Sequence, residues 1–161
     1  MEEPKRKGHL KIFFGYAPGV GKTYSMLLAA LSAKHRGIDV AVGCLESCGR
    51  KPQLLILEEL AHTNPPACRH AKRFQDIAEL LNAGIDVYTT VNVQNIESLN
   101  DTVASITGIQ VRDRIPDSVF DNAYQVELVD MEPQELLQRM KTGSVYIPLP
   151  PEQSLNPFFK L

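Results

Sequence analysis

The residues that can do chemistry lie near the start of the chain. Gly15-Tyr16-Ala17-Pro18-Gly19-Val20-Gly21-Lys22-Thr23 follows an apolar run, Leu10 to Phe14, and leads into a helix-like run, Tyr24 to Lys34. Strand, glycine-rich loop, Gly-Lys-Thr and helix, in that order, predict a phosphate-binding loop. In such a loop consecutive backbone N–H groups and a helix N-terminus converge on one anion. The candidate nucleotide-binding residues are Pro18, Gly19, Val20, Gly21, Lys22, Thr23 and Tyr24. Lys22 would reach the β- and γ-phosphates, and the Thr23 hydroxyl would ligate Mg2+. The strict spacing has glycine where this chain has Tyr16, and Gly15 sits one place early. The plain alternative is a glycine-rich strand–helix turn with no ligand.

A phosphate loop needs a partner acid. Leu54-Leu55-Ile56-Leu57-Glu58-Glu59 is an apolar strand pattern ending in two carboxylates. Glu58 is the candidate to hold Mg2+ or a metal-bound water with Thr23, and Glu59 the candidate base toward a water or hydroxyl. A solvated carboxylate pair at a strand end is the alternative. Arg69, His70, Lys72 and Arg73 crowd a loop entering a helix. Arg69 is a candidate to stabilise phosphoryl charge as an arginine finger does, although a charge run of this kind is more often a solvated face. Thr89, Thr90, Asn92 and Gln94 end a later strand; they can contact a γ-phosphate or a water, and turn and capping chemistry explains them equally well.

These groups require elements to hold them. Strands are expected at Leu10–Phe14, Asp39–Leu45, Leu54–Leu57, Ile85–Thr90 and Gln125–Val129, with a short closing strand at Val145–Ile147. Helices are expected after Lys22, with Met26, Leu27, Ala30 and Leu31 at helical spacing and Gly37 as the stop; at Lys72–Asn82, with Phe74, Ile77, Leu80 and Leu81 inward; at Ile96–Ile106; and from Pro133 to Gly143. Alternating strands and helices predict an α/β fold, a three-layer P-loop NTPase-like arrangement with a mostly parallel central sheet.

Composition narrows the class. The chain has 161 residues, enough for one domain with a real core, and a formal net charge of −2. That balance gives no sign of a nucleic-acid surface, and no apolar run approaches a membrane span. Three cysteines, an odd number, argue against a disulfide framework and fit a reducing cytoplasm. Cys44 and Cys48 have metal-like spacing without a second pair, so no zinc site is expected. His9 and His35 read as solvated edge residues.

The segments together resemble the N-terminal cytoplasmic domain of the KdpD osmosensitive potassium-channel sensor histidine kinases of bacteria. The resemblance runs from about Gly8 to the end of the chain. It rests on Phe13-Phe14-Gly15, on Pro18 to Thr23, on Glu59-Leu60-Ala61-His62-Thr63-Asn64, on Arg69-His70 and Lys72-Arg73, and above all on Ala83 to Gln94 and Glu97-Ser98-Leu99-Asn100-Asp101. It implies an ATP-binding regulatory domain, using ATP and Mg2+, within a larger kinase of the bacterial inner membrane. The implied partners are a universal-stress-like domain, transmembrane helices and a histidine kinase core, or a separate partner kinase. The domain itself would be cytoplasmic and would not insert into the membrane. It would shift a kinase/phosphatase balance in potassium and osmotic-stress signalling. The alternatives are an autonomous phosphotransferase or NTPase, and a degenerate scaffold that binds no nucleotide.

Four departures from the family stand out. Tyr16 replaces a small residue, Glu58 an aspartate, and Asn95 and Cys48 each a histidine. The largest departure is a gap: Gly49 to Pro52 bridges a stretch where the family has several tens of residues. A parallel crossover needs about a dozen residues or more. Either the flanking strands are not parallel neighbours, or a segment between Arg50 and Lys51 is missing. The second is expected, with too long a distance from Arg50 to Lys51 for a peptide bond.

Overall fold

A computed structural model describes residues 6–43 and 51–143. In chain order the elements are β1 (Leu10–Gly15), α1 (Lys22–His35), β2 (Val40–Val42), β3 (Leu54–Ile56), α2 (Arg73–Asn82), β4 (Asp86–Asn92), α3 (Glu97–Thr107), α4 (Asp117–Asp121), β5 (Gln125–Leu128) and α5 (Pro133–Lys141). The five strands form one sheet in the order β2-β3-β4-β1-β5, and every pairing is parallel.

β1 shows why the sequence folds this way. Leu10 and Ile12 pack on one side with Ile77 and Leu80 of α2, while Phe13 packs on the other with Met26 and Ala30 of α1 and Leu136 of α5. A strand covered on both faces reads as a nearly continuous apolar run, as Leu10 to Phe14 does. The sheet thus divides two apolar clusters, and helices lie on both of its faces.

The inward face of α1 differs from the expected one. Met26, Ala30 and Ala33 are buried, whereas Leu27 and Leu31 are 45% and 49% exposed. This helix is apolar nearly all round, so spacing alone cannot select a face; the small Ala30 and Ala33 let its backbone lie close to the sheet. In α2 the amphipathic pattern does select: Ile77 and Leu80 are buried, with Phe74 and Leu81 at the margin. Gly84 follows that helix at φ 84°, and a Cβ there would lie 2.8 Å from the carbonyl oxygen of Arg6. α3 ends at Gly108, φ 73°, as expected from the sequence.

β2 is shorter than expected, Val40–Val42, and pairs in parallel with β3, Val40 against Leu54. The two strands are therefore parallel neighbours, which removes the first of the two explanations for the short bridge. The Arg50–Lys51 junction, Cys44, Leu45, Cys48 and the expected closing strand Val145–Ile147 lie outside the described residues. α4 and a 3-10 turn at Val93–Asn95 have no counterpart in the sequence-based expectation; both are too short for periodicity to register.

Candidate functional site

The loop after β1 is built around its lysine. Gly19 and Gly21 adopt φ of 88° and 102°, left-handed values that glycine takes without a Cβ penalty. Gly15 is fixed by packing: a Cβ there would lie 2.7 Å from Val20 Cγ2 and 3.0 Å from Lys22 Cδ. The glycine one place early is thus the residue over which the lysine stem passes. Tyr16 does not intrude, because its hydroxyl donates to the Met131 carbonyl at 2.9 Å. Burial, then Asp130 and Glu132, raises its pKa. Lys22 is only 9% exposed, and its Nζ donates to the Ala17 carbonyl at 2.8 Å. Burial pulls its pKa down to about 8, with Glu58 acting in the opposite direction.

The acidic end of β3 meets this loop. The Thr23 hydroxyl donates to Glu58 Oε1, and the Arg73 guanidinium donates to the Glu58 backbone carbonyl. Glu59 has φ 56°, the one left-handed non-glycine among the described residues. Its N–H donates to Thr90 Oγ1 at 3.0 Å, and the Leu60 N–H donates to the Thr90 carbonyl at 2.9 Å. The end of β4 therefore pins the turn that carries the two carboxylates. Glu59 Oε2 lies 3.5 Å from His62 Nδ1.

A cavity of about 300 Å³ joins these parts. Pro18, Gly19, Lys22 and Thr23 of the loop, Glu58 and Glu59 after β3, and His62, Asn95 and Asp113 all line it. Asp113 accepts from Thr63 and, at 3.1 Å, from Lys72 Nζ. The Thr63 bond, helped by Lys72 and opposed by burial, holds its carboxyl below the usual range. Asn95 Nδ2 donates to the Asp113 carbonyl at 2.8 Å. The buried Thr89 Oγ1 and Asn92 Oδ1 have no hydrogen-bond partner.

Of the residues singled out in sequence, Pro18, Gly19, Lys22, Thr23, Glu58 and Glu59 come together in this cavity, and Gly21 caps α1. Val20 is buried in the core and Tyr24 is 68% exposed; neither lines the cavity. Arg69 is not brought to it either: it pairs with Glu79 at 2.7 Å. The member of that basic run that reaches the acidic strand is Arg73. Sequence reasoning named no role for His62 or Asp113. His62 stands four residues after Glu58, near enough to be suspected; Asp113 is carried in by the loop after α3 and has no local signal.

The arrangement defines a parallel α/β domain with a ligand-sized cavity at the carboxyl edge of its sheet, where such folds place their sites. The family model of the osmosensitive K+ channel histidine kinase sensor domain, KdpD, matches residues 6–51 and 46–161. The chain belongs to that family. It is 45% identical to the sensor protein KdpD of Clostridium acetobutylicum over 194 aligned residues, which cover 98% of this chain and 22% of that protein. It is 44% identical to the sensor protein KdpD of Escherichia coli K12, over 96% of this chain and 21% of that protein. It is 40% identical to a putative sensor protein KdpD of Synechocystis, over 98% of this chain and 52% of that protein. The chain thus spans about a fifth to a half of the length of these relatives. Among the described residues no helix is long and apolar enough to cross a membrane.

Proposed function

We propose that this chain is the nucleotide-binding regulatory domain of a potassium and osmotic-stress sensor kinase, with a P-loop NTPase-like core that takes ATP with Mg2+. The observation that carries this reading is Lys22. An ammonium group is held in a buried loop with a carbonyl as its hydrogen-bond partner, next to two left-handed glycines. Keeping a cation there costs stability, and an anion in the loop offsets that cost. The residues fit the group. Thr23 and Glu58 present a hydroxyl and a carboxylate in direct contact, the oxygen ligands Mg2+ prefers, with phosphates and water completing its shell. When bound, the metal neutralises phosphate charge. Lys22 and the loop N–H groups orient the phosphates, and Glu58, anchored by Arg73, keeps its carboxylate beside Thr23.

Regulation follows as a population shift: nucleotide favours whichever conformation binds it better and so biases the kinase and phosphatase activities of the attached or partner histidine kinase. A universal-stress-like domain, transmembrane helices and the kinase core are the partners this reading expects, with the domain on the cytoplasmic side of the inner membrane. The two matched stretches meet at residues 46–51, and the alignment runs over 194 positions for a chain of 161. Both support a segment carried by relatives and missing between Arg50 and Lys51. A second reading, turnover of ATP, is favoured by Glu59 alone: a carboxylate in left-handed backbone at the cavity, with His62 beside it.

Calorimetric titration with Mg-ATP, beside Lys22→Ala, tests the proposal. Binding that the variant loses supports a working phosphate loop. No heat from the folded wild-type chain, with its fold checked by circular dichroism, would sink it and leave the scaffold reading.

A further inference from the structure

We infer that the outward face of α1 is a dimerisation surface, which takes α1 of a second copy of this chain in antiparallel orientation about a two-fold axis near Leu28. The inference goes beyond the nucleotide reading and needs no nucleotide.

α1 buries Met26, Ala30 and Ala33 against the sheet. The opposite side of a surface helix is ordinarily polar. Here it carries Tyr24, Leu27, Leu28 and Leu31, which are 68%, 45%, 50% and 49% exposed. Their spacing of i, i+3, i+4 and i+7 sets them in one stripe. Val42 of the edge strand β2 is 71% exposed. It shares a sheet face with Val40, which packs in the cluster beneath α1, and so adds apolar surface on the same side. Single exposed leucines are ordinary, but a contiguous apolar stripe marks a contact with another protein surface.

The charges around the stripe say which surface. α1 and α5 pack on one face of the sheet, and they follow the parallel neighbours β1 and β5, so both start at the carboxyl edge and run back along the sheet. Acidic groups gather where these helices start. The Tyr16 hydroxyl bonds the Met131 carbonyl, and a Cβ on Gly21 would lie 4.0 Å from Val129 Cγ1. The exposed Asp130 and Glu132 therefore stand near the first turn of α1, with Glu135 in the first turn of α5. Basic groups gather where the helices end: Lys34, His35 and Arg36 at α1, Arg139 and Lys141 at α5.

Turning one copy end for end sets its basic end on the acidic end of the other. The same contact then occurs twice, as a two-fold interface requires. Tyr24 of each copy meets Leu31 of the other, with Leu27 and Leu28 at the axis. A parallel pairing would instead stack Lys34 and Arg36 on their own counterparts, which like-charge repulsion disfavours. A face complementary to itself in this way specifies a second copy.

Sedimentation equilibrium of the chain across a concentration range tests the inference. Wild type should show a monomer–dimer equilibrium. Leu28→Glu, at an exposed position, should weaken the dimer about a hundredfold or more with its circular dichroism unchanged. Reversing the basic end (Lys34→Glu with Arg36→Glu) or the acidic end (Asp130→Lys with Glu132→Lys) should each weaken it about tenfold or more, and all four changes together should restore it. Restoration is a readout that loss of folding cannot imitate. A wild-type chain that stays monomeric at every concentration overturns the inference and leaves the stripe to the longer polypeptide of the relatives. A dimer that Leu28→Glu leaves intact, or that the quadruple variant fails to restore, overturns it as well.

Discussion

Two cationic regions flank the carboxyl edge of this sheet, and they differ in what answers their charge. At the entry to α2, Arg69 and His70 both engage Glu79, at 2.7 and 2.9 Å, and Lys72 engages Asp113 at 3.1 Å. In the loop after β1, Lys22 is more deeply buried than any of these, and its hydrogen-bond partner is a backbone carbonyl. In the first region carboxylates answer the charge; in the second a backbone carbonyl does, which is why we propose the second as the place for an incoming anion. The count of cations does not separate the two; the partner and the burial do.

Substitution of each lysine or arginine should make that contrast large. Lys22→Ala is expected to lower Mg-ATP affinity by about a hundredfold or more, whereas Arg69→Ala should change it by less than about twofold, both read by calorimetry. Comparable losses in the two variants would erase the distinction.

The pH dependence sharpens it next. The Lys22 pKa is lowered to about 8 in the folded chain, below its unfolded value of about 10.4. Below pH 8 the lysine is charged in both states, and its burial cost is fully present. As pH rises from about 8 to about 10.4 the folded chain releases the proton first, the unfolded chain binds more protons, and this contribution raises stability. Lys22→Met should therefore be more stable than wild type at pH 7, by about 1–3 kcal/mol in denaturant unfolding. It should also lose the rise above pH 8. Nucleotide, by restoring charge on Lys22, should be bound with proton uptake near pH 8.5, seen as a buffer-dependent heat.

Arg73 stands between the regions in effect. It belongs to the basic run, yet it donates to the Glu58 carbonyl. Arg73→Ala should cost about 1 kcal/mol of stability and weaken the Mg2+ dependence of ATP binding more than binding without metal. The smallest effect is expected of Glu79→Gln. His70, then Arg69, holds the Glu79 carboxyl below its ordinary pKa, but the side chain is 49% exposed, so thermal unfolding should shift only slightly and ATP affinity not at all.

The loop and the acidic strand were legible because their signals are local. Glycine at 19 and 21 and lysine at 22 are set by backbone geometry within a few residues, and Leu54 to Ile56 announces a strand covered on both faces. The apolar strands and the glycine stops of α2 and α3 were readable for the same reason. The inward face of α1 was not, since Leu27 and Leu31 compete equally with Ala30 and Ala33 until the sheet chooses the smaller pair. The pairing of Arg69 with Glu79 was not legible, because Glu79 lies ten residues on, on a surface of α2 that the charge run does not reveal.

By itself, then, the sequence determined the order of strands and helices, the left-handed loop and the presence of an acid to face it, all properties of short stretches of chain. Tertiary structure alone decided that β4 separates β1 from β3, so that Asn92 stands beside Gly15. It also decided that Thr23 meets Glu58 and that Asp113 lines the same cavity as Lys22. Those contacts depend on strand order and on which face of each element is buried, and both are settled by packing the whole sheet at once.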